Sequence, residues 1–200
     1  LDEFLNDGFL PILETNRGCP FSCTFCVWGI SALNKLKQFG MERVKSELEY
    51  VVKFGPVYSE IVYADANFGI LKRDLEISKY TRELYDSEQS FQAVQFYWSK
   101  TPQPHMIDIG KVLGHLTHTY VAFQSLDPDV LEAIKRKNIS TEKLAQLIDG
   151  LRQYTHSTQT DLLVGLPNED FDSHLRSLES ALKYGIDLIN KQKPDLILFT

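Results

Sequence analysis

Residues 17–26 read RGCPFSCTFC, and this run holds every cysteine of the chain: Cys19, Cys23 and Cys26. A disulfide framework would spread its cysteines along the sequence, and core packing gives no reason to cluster them. A Cys-x-x-x-Cys-x-x-Cys loop sets three thiolates around one point, which suits a metal ion or an iron–sulfur cluster. The count itself is informative. A structural zinc site is closed by four protein ligands, whereas three leave one metal position open to a ligand from elsewhere. On the cysteines alone, a non-catalytic zinc or iron–sulfur module and a catalytic centre both remain open.

Outward from this loop, short apolar runs alternate with helical stripes. Strands are predicted over 10–15 (LPILET, leading into the cysteines), 59–64, 93–98, 119–124, 158–164 and 195–200. Between them the periodicity predicts helices over 41–54, 74–85, 106–116, 128–135, 141–154 and 173–184. In 41–54, for example, Val44, Leu48, Val51 and Val52 form one apolar stripe closed by Gly55-Pro56. Repeated strand–helix units imply parallel strands with right-handed crossovers. Six of them form an α/β fold of the open, TIM-like (β/α)6 kind, six-eighths of the closed barrel of eight. In such barrels chemistry collects at the C-terminal strand ends.

Composition sets bounds on function. Two hundred residues, 43% apolar and 24% charged, make one ordinary globular domain. A net charge of −6 argues against a surface that coats nucleic acid. The apolar runs are too short for a membrane span, and no signal-peptide pattern opens the chain. A clustered, odd-numbered cysteine set fits a reducing compartment, hence a cytoplasmic location. The first residue is Leu1 and the last six read DLILFT, so residues 1–200 read as one domain cut from a longer protein. The five histidines, His105, His115, His118, His156 and His174, form no metal-spaced pair.

The cysteine spacing, with Phe25 just before the third cysteine, resembles the signature of the radical S-adenosylmethionine (radical SAM) superfamily. The resemblance implies a 4Fe–4S cluster held by Cys19, Cys23 and Cys26, with its open iron chelated by the amino and carboxylate groups of SAM. An electron from the reduced cluster then breaks a carbon–sulfur bond of SAM, and the resulting 5′-deoxyadenosyl radical abstracts hydrogen from substrate. The same resemblance implies that Phe25 contacts the adenine.

Further matches fall at the strand ends. Residues 64–68 (ADANF) are similar to a turn of the branch that carries an upstream cobalamin-binding domain, as in anaerobic magnesium-protoporphyrin cyclase; Asp65 is the acidic residue expected to accept from the SAM amino group. Residues 124–138 (QSLDPDVLEAIKRKN) resemble the Gln-Ser…Arg pattern of oxygen-independent coproporphyrinogen oxidases and methylthiotransferases. That pattern implies that Gln124 and Ser125 reach the ribose or methionine part of SAM and that Arg136 pairs with its carboxylate through a planar fork. Relatives follow this arginine with a small residue and a histidine, where this chain has Lys137 and Asn138. Gly165 opens the turn GLPNE, similar to a Gly-Leu-Pro-Gly-Glu turn of the same branch, with Asn168 in the second glycine's place. Taken singly, Asp65 is a turn former, Gly165 a turn glycine, and Arg136 between two lysines a solvated helix end. Ser99 and Lys100, at the third strand's end, could meet ribose or substrate.

The resemblance spans residues 10–200 and implies a cobalamin-dependent methyltransferase or cyclase. Methylthiotransferase-type modification of RNA or protein is the alternative. The expected partners are a small-molecule or peptide substrate and an electron donor such as flavodoxin or ferredoxin, with cobalamin supplied through a domain outside these residues.

Overall fold

The computed structural model describes residues 2–29, 34–55, 59–155 and 157–192. In chain order the elements are α1 (Asp2–Asn6), β1 (Ile12–Leu13), β2 (Asn16–Arg17), β3 (Lys37–Gln38), α2 (Met41–Phe54), β4 (Ser59–Phe68), α3 (Asp74–Glu88) and β5 (Phe91–Trp98). They continue with α4 (His105–Leu113), β6 (Thr119–Tyr120), α5 (Pro128–Ala133), α6 (Thr141–Arg152), β7 (Thr158–Leu163), α7 (Phe171–Lys183) and β8 (Leu188–Gln192).

Six strands form the expected partial barrel in two parallel sheets, β1-β4-β5 and β6-β7-β8. At the seam between the sheets the rings of Tyr97 and Tyr120 meet edge to face, with centroids 4.9 Å apart, and the Trp98 indole N–H donates to the His118 carbonyl. The first strand is shorter than expected. After two residues the chain leaves β1, and β2 pairs antiparallel with β3, so the cysteine loop is closed at both ends by one ladder. The fourth barrel strand is likewise cut to β6, and one isolated bridge, Gln124 to Leu162, carries the pairing onward to the rim. The sixth strand is β8, ahead of the predicted span; residues 195–200 and His156 lie outside the described residues. Nothing in the pattern announced α1 or β3, both too short to show a period.

The core lies between the outer faces of the strands and the helices. Val44, Leu48, Val51 and Val52 of α2, the stripe read from sequence, pack with Ile61, Tyr63, Phe68 and Phe96. A second cluster joins β6 and β7 to α6 and α7, and a third, Val130, Ile134, Leu163 and Leu166, sits beneath the cysteine loop against Phe25. The strand alternation is inverted relative to a half-solvated sheet: Val94 and Phe96, Val121 and Phe123, and Thr160 and Leu162 are buried under helices, while Gln95, Tyr97, Gln159 and Asp161 face the barrel interior.

Gly110 disfavours helix by propensity, yet α4 runs through it. A Cβ there would come within 2.1 Å of Leu151 Cδ2 on α6, and one at Gly150 within 2.9 Å of Ile107 Cδ1 on α4. The two glycines let the helices approach closely. Leu151 is fully buried, so its side chain would have to shift against packed neighbours. Gly110→Ala is expected to destabilise the fold by about 1–3 kcal/mol, although the same change on an exposed helix stabilises by about 1 kcal/mol. Urea unfolding measures this, and a stabilised variant would show that the contact is slack.

Asp74 opens α3 and closes the turn after β4, with Oδ2 accepting from Gly69 N at 2.8 Å and Leu71 N at 3.0 Å. Burial pushes its carboxyl up to about 6. The folded state therefore holds this proton more tightly than the unfolded chain does. The resulting stability is full below pH ~4 and is lost as pH rises through about 6. Asp74→Asn keeps the acceptor and removes the titration. Its stability relative to wild type should rise by up to about 3 kcal/mol between pH ~4 and ~7; a flat difference would refute the assignment.

Candidate functional site

The cysteine loop leaves β2 through Gly18, whose φ of +104° is open to glycine and strained for other residues. Thr24 N donates to the Ile134 carbonyl at 3.1 Å, and Cys26 N to the Cys23 carbonyl at 3.2 Å, fixing the loop over the end of α5. Cys19 and Cys23 are buried and Cys26 is half-buried; all three line one pocket at the C-terminal strand ends. Phe21, Phe25, Trp28, Tyr97 and Trp98 supply its aromatic walls, and Asn67, Lys100, Gln124, Arg136 and Asp161 its polar ones.

Several of the polar groups converge on sulfur. Asn67 Nδ2 donates to Cys19 Sγ at 3.1 Å, Lys100 Nζ to Cys23 Sγ at 3.1 Å, and Arg136 Nη1 approaches Cys23 Sγ at 3.8 Å. Lys100 also sits 3.9 Å over the Phe21 ring. Burial is the main cause lowering its pKa, with the Arg136 charge next. Burial also lowers that of Arg136, against the pull of Cys23. Such a donor set suits sulfurs that carry negative charge. Among the described residues no group of three or more His, Cys, Asp or Glu gathers closely enough for a single ion. Three cysteines lining one pocket, with N–H donors on two of their sulfurs, are the donor set that a 4Fe–4S cluster takes.

Arg136 lines the pocket, and its contacts give Asn138, two residues on, a structural role. Nε donates to Asn138 Oδ1 at 2.7 Å and Nη2 to the Ala122 carbonyl, leaving Nη1 toward the cysteines. Asn138 in turn donates to the carbonyls of Phe123 and Ser125 at 3.2 and 2.7 Å, so it orients the arginine from the histidine's place. Gln124 lies on the pocket wall in the left-handed region, φ +68°, a strained conformation for a non-glycine residue. It is pinned by Gln124 N to Asp161 O at 2.9 Å and Leu163 N to Gln124 O at 2.8 Å. Phe25 also lines the pocket.

Three predicted residues do not form its walls. The Asp65 carboxylate, buried and raised in pKa chiefly by that burial, is committed to β1 and β2: it accepts from Thr15 N at 2.7 Å, the Thr15 hydroxyl, Asn16 N at 3.3 Å and Asn16 Nδ2 at 2.6 Å. Ser125 is fully buried, its hydroxyl 3.3 Å from that of Ser177 on α7. Gly165, at φ +85°, shapes the turn after β7 and donates to Glu169 Oε2; Asn168 takes φ +61°, as its glycine-like place requires.

Sequence reasoning missed Asn67, Asn138 and Asp161. Asp161 Oδ1 is buried without a partner, and burial together with a hydrogen bond to Asp161 holds the neighbouring Tyr120 hydroxyl protonated far above its ordinary range. The available signal was an acidic residue in the middle of a predicted strand, TQTDLLV.

The sequence pattern of the radical SAM superfamily matches residues 13–181. A cobalamin-dependent radical SAM methyltransferase, TokK of Streptomyces tokunonensis, is 36% identical over 180 residues, covering 88% of this chain and 26% of that protein. A probable threonylcarbamoyladenosine tRNA methylthiotransferase of Archaeoglobus fulgidus is more distant, 23% identical over 203 residues, 98% of this chain and 46% of that one. Among solved structures, the radical SAM methyltransferase TsrM of Kitasatospora setae, with cobalamin and a 4Fe–4S cluster bound, superposes with a TM-score of 0.78 at 16% identity, over 96% of this chain and 35% of its own. The chain thus spans about a quarter of TokK and a third of TsrM. A six-stranded parallel barrel with three cysteines at its rim, matched over nearly its whole length, places this chain in the radical SAM superfamily.

Proposed function

We propose that this chain is the catalytic core of a cobalamin-dependent radical SAM methyltransferase. Its three cysteines hold a 4Fe–4S cluster, and Phe25, Gln124, Arg136 and Asp161 on the pocket wall hold SAM. The observation that carries the reading is that Cys19, Cys23, Cys26, Gln124, Arg136 and Asp161 share one pocket although they come from four separate stretches of chain. When bound, a 4Fe–4S cluster on Cys19, Cys23 and Cys26 would supply the electron for SAM cleavage. This chain's own residues position the two. Phe25 offers its face to the adenine. Gln124 and the unpartnered Asp161 Oδ1, adjacent across β6 and β7, offer two acceptors to the ribose hydroxyls. Arg136, with its other two nitrogens already held, turns one N–H edge toward the SAM carboxylate.

Asp65 serves this site at one remove. Its carboxylate fixes Thr15 and Asn16, and so the start of the cysteine loop, leaving the SAM ammonium to the open acceptors of the pocket. The methyl-transfer reading rests on the likeness to TokK and TsrM, and the greater distance of the methylthiotransferases, together with the net charge of −6, supports it over RNA modification. The substrate is then a small molecule. The electron comes from a flavodoxin- or ferredoxin-like donor, and cobalamin from a domain beyond these residues. Among the described residues no helix is long and apolar enough to cross a membrane.

Anaerobic reconstitution should load about four irons per chain and give a reduced cluster whose paramagnetic signal changes on adding SAM. A signal indifferent to SAM, or a single bound zinc, would sink the proposal.

Single substitutions separate the assigned roles. Arg136→Ala and Asp161→Asn should each weaken SAM binding about tenfold to a hundredfold, the worth of ~1.5–3 kcal/mol in a charged hydrogen bond. Asp65→Asn should lower cluster loading more than SAM affinity. If Asp65→Asn alone abolished SAM binding in a fully loaded cluster, Asp65 would be the ammonium partner after all.

A further inference from the structure

We propose that Lys100 raises the reduction potential of the cluster by holding a cationic N–H donor against the Cys23 sulfur. This rests on the reading above, that the three cysteines carry a redox-active cluster. Its ground is an asymmetry in what faces the sulfurs. Cys19 receives a neutral amide N–H from Asn67 at 3.1 Å. Cys23 receives two cations, Lys100 Nζ at 3.1 Å and Arg136 Nη1 at 3.8 Å. Two like charges crowded on one sulfur in a half-buried pocket repel strongly unless negative charge lies between them. A sulfur that ligates iron does so as the thiolate and supplies that charge.

The lysine is seated on two sides. Its backbone follows β5, whose ladder with β4 is extended by Ser99 N donating to the Phe68 carbonyl at 2.8 Å. Ser99 Oγ accepts from Thr101 N at 3.3 Å, turning the chain just past Lys100. The Phe21 face, 3.9 Å from Nζ, forms a second side of the seat and comes from the cysteine loop itself. Arg136, by contrast, spends two of its nitrogens on Asn138 and Ala122. Lys100 is thus the cation whose only polar contact among the described hydrogen bonds is the sulfur. Adding an electron makes the cluster more negative, so a fixed positive charge at a ligating sulfur favours the reduced state. Hydrogen bonds to the sulfurs are among the levers that set cluster potentials.

The test is a potentiometric titration of the anaerobically reconstituted chain without SAM, followed by electron paramagnetic resonance, alongside equilibrium SAM binding. Lys100→Met should make reduction about tenfold less favourable, a potential about 59 mV lower for a one-electron couple. SAM affinity should change by less than about twofold, and Lys100→Arg should restore most of the potential. An unmoved potential in Lys100→Met overturns the inference. So does a fall in SAM affinity at constant potential, which would make Lys100 a partner of SAM. If Lys100→Met loads no cluster, Phe21→Leu decides: it removes the aromatic seat while keeping every ligand and charge, and must also lower the potential. A wild-type potential in Phe21→Leu would then overturn the inference. A wild-type chain with no reducible cluster overturns the parent reading and this one with it, whereas a normal cluster with an unmoved potential overturns this one alone.

Discussion

The Asp65 carboxylate, sealed inside the protein, holds the end of β4 to the junction of β1 and β2. Its oxygens take donors from both the backbone and the side chains of Thr15 and Asn16. A buried carboxylate without donors is strongly unfavourable, and each buried donor left without it costs about 1–3 kcal/mol. Both sides of the contact are therefore obliged to keep it. The consequence reaches the site directly, because Gly18 and Cys19 follow Asn16 within three residues. One residue beyond Asp65, Ala66 forms part of the pocket wall, and Asn67 sends its amide to Cys19. A single short stretch, ADANF, thus sets the start of the cysteine loop and one of its sulfur donors. It also abuts the turn that Asp74 closes.

The cysteine loop depends on more than its own sequence. Its N-terminal end is held by Asp65 through Thr15 and Asn16, its middle by the Thr24 N–Ile134 O bond, and its far end by the pairing of β2 with β3. Arg73 of the turn before α3 adds a further tie, donating to the carbonyls of Phe39 and Thr15 on both sides of that ladder. These backbone anchors bring the three cysteines to one pocket, as a shared cluster requires.

Much of this architecture was legible beforehand, and the reason differs from element to element. The helix α2 appears where its apolar stripe predicts because burial of Val44, Leu48, Val51 and Val52 needs no distant information. The cysteines declared themselves by clustering. Arg136 stands out in its motif, though its bonds do not: a planar fork offers several edges, and only the folded positions of Ala122 and Asn138 decide which ones are taken. Asp65 was marked as important while the direction of its carboxylate lay outside what a strand pattern can say. Side-chain alternation is disturbed between Tyr63 and Phe68, where the β4–β5 register shifts. The strand end sets Lys100 on the rim, toward ribose or substrate, but does not reveal its sulfur partner Cys23, 77 positions away.

The barrel interior follows from the placement of the core. Since the helices cover the outer faces, the apolar residues of β5, β6 and β7 point outward, and the alternate positions left facing inward are free to be polar. Gln95 and Tyr97, Tyr120 and Gln124, and Gln159 and Asp161 occupy those positions in sequence order around the wall. A closed barrel fills its interior with branched apolar layers; this one keeps hydrogen-bonding groups there. They run from the cluster rim down past the seam where Tyr97 meets Tyr120. Gln124 joins the two regimes. It takes a left-handed backbone at the point where the β6 ladder gives way to its last bridge, turning its side chain to the pocket that holds the cysteines. The strained Gln124 backbone is held by bonds to both Asp161 and Leu163, so the Asp161 acceptor and the Gln124 amide are both fixed to β7. A ligand gripped by that pair is placed by the sheet rather than by a flexible loop, and this rigidity is what a reaction begun by a short-lived radical requires.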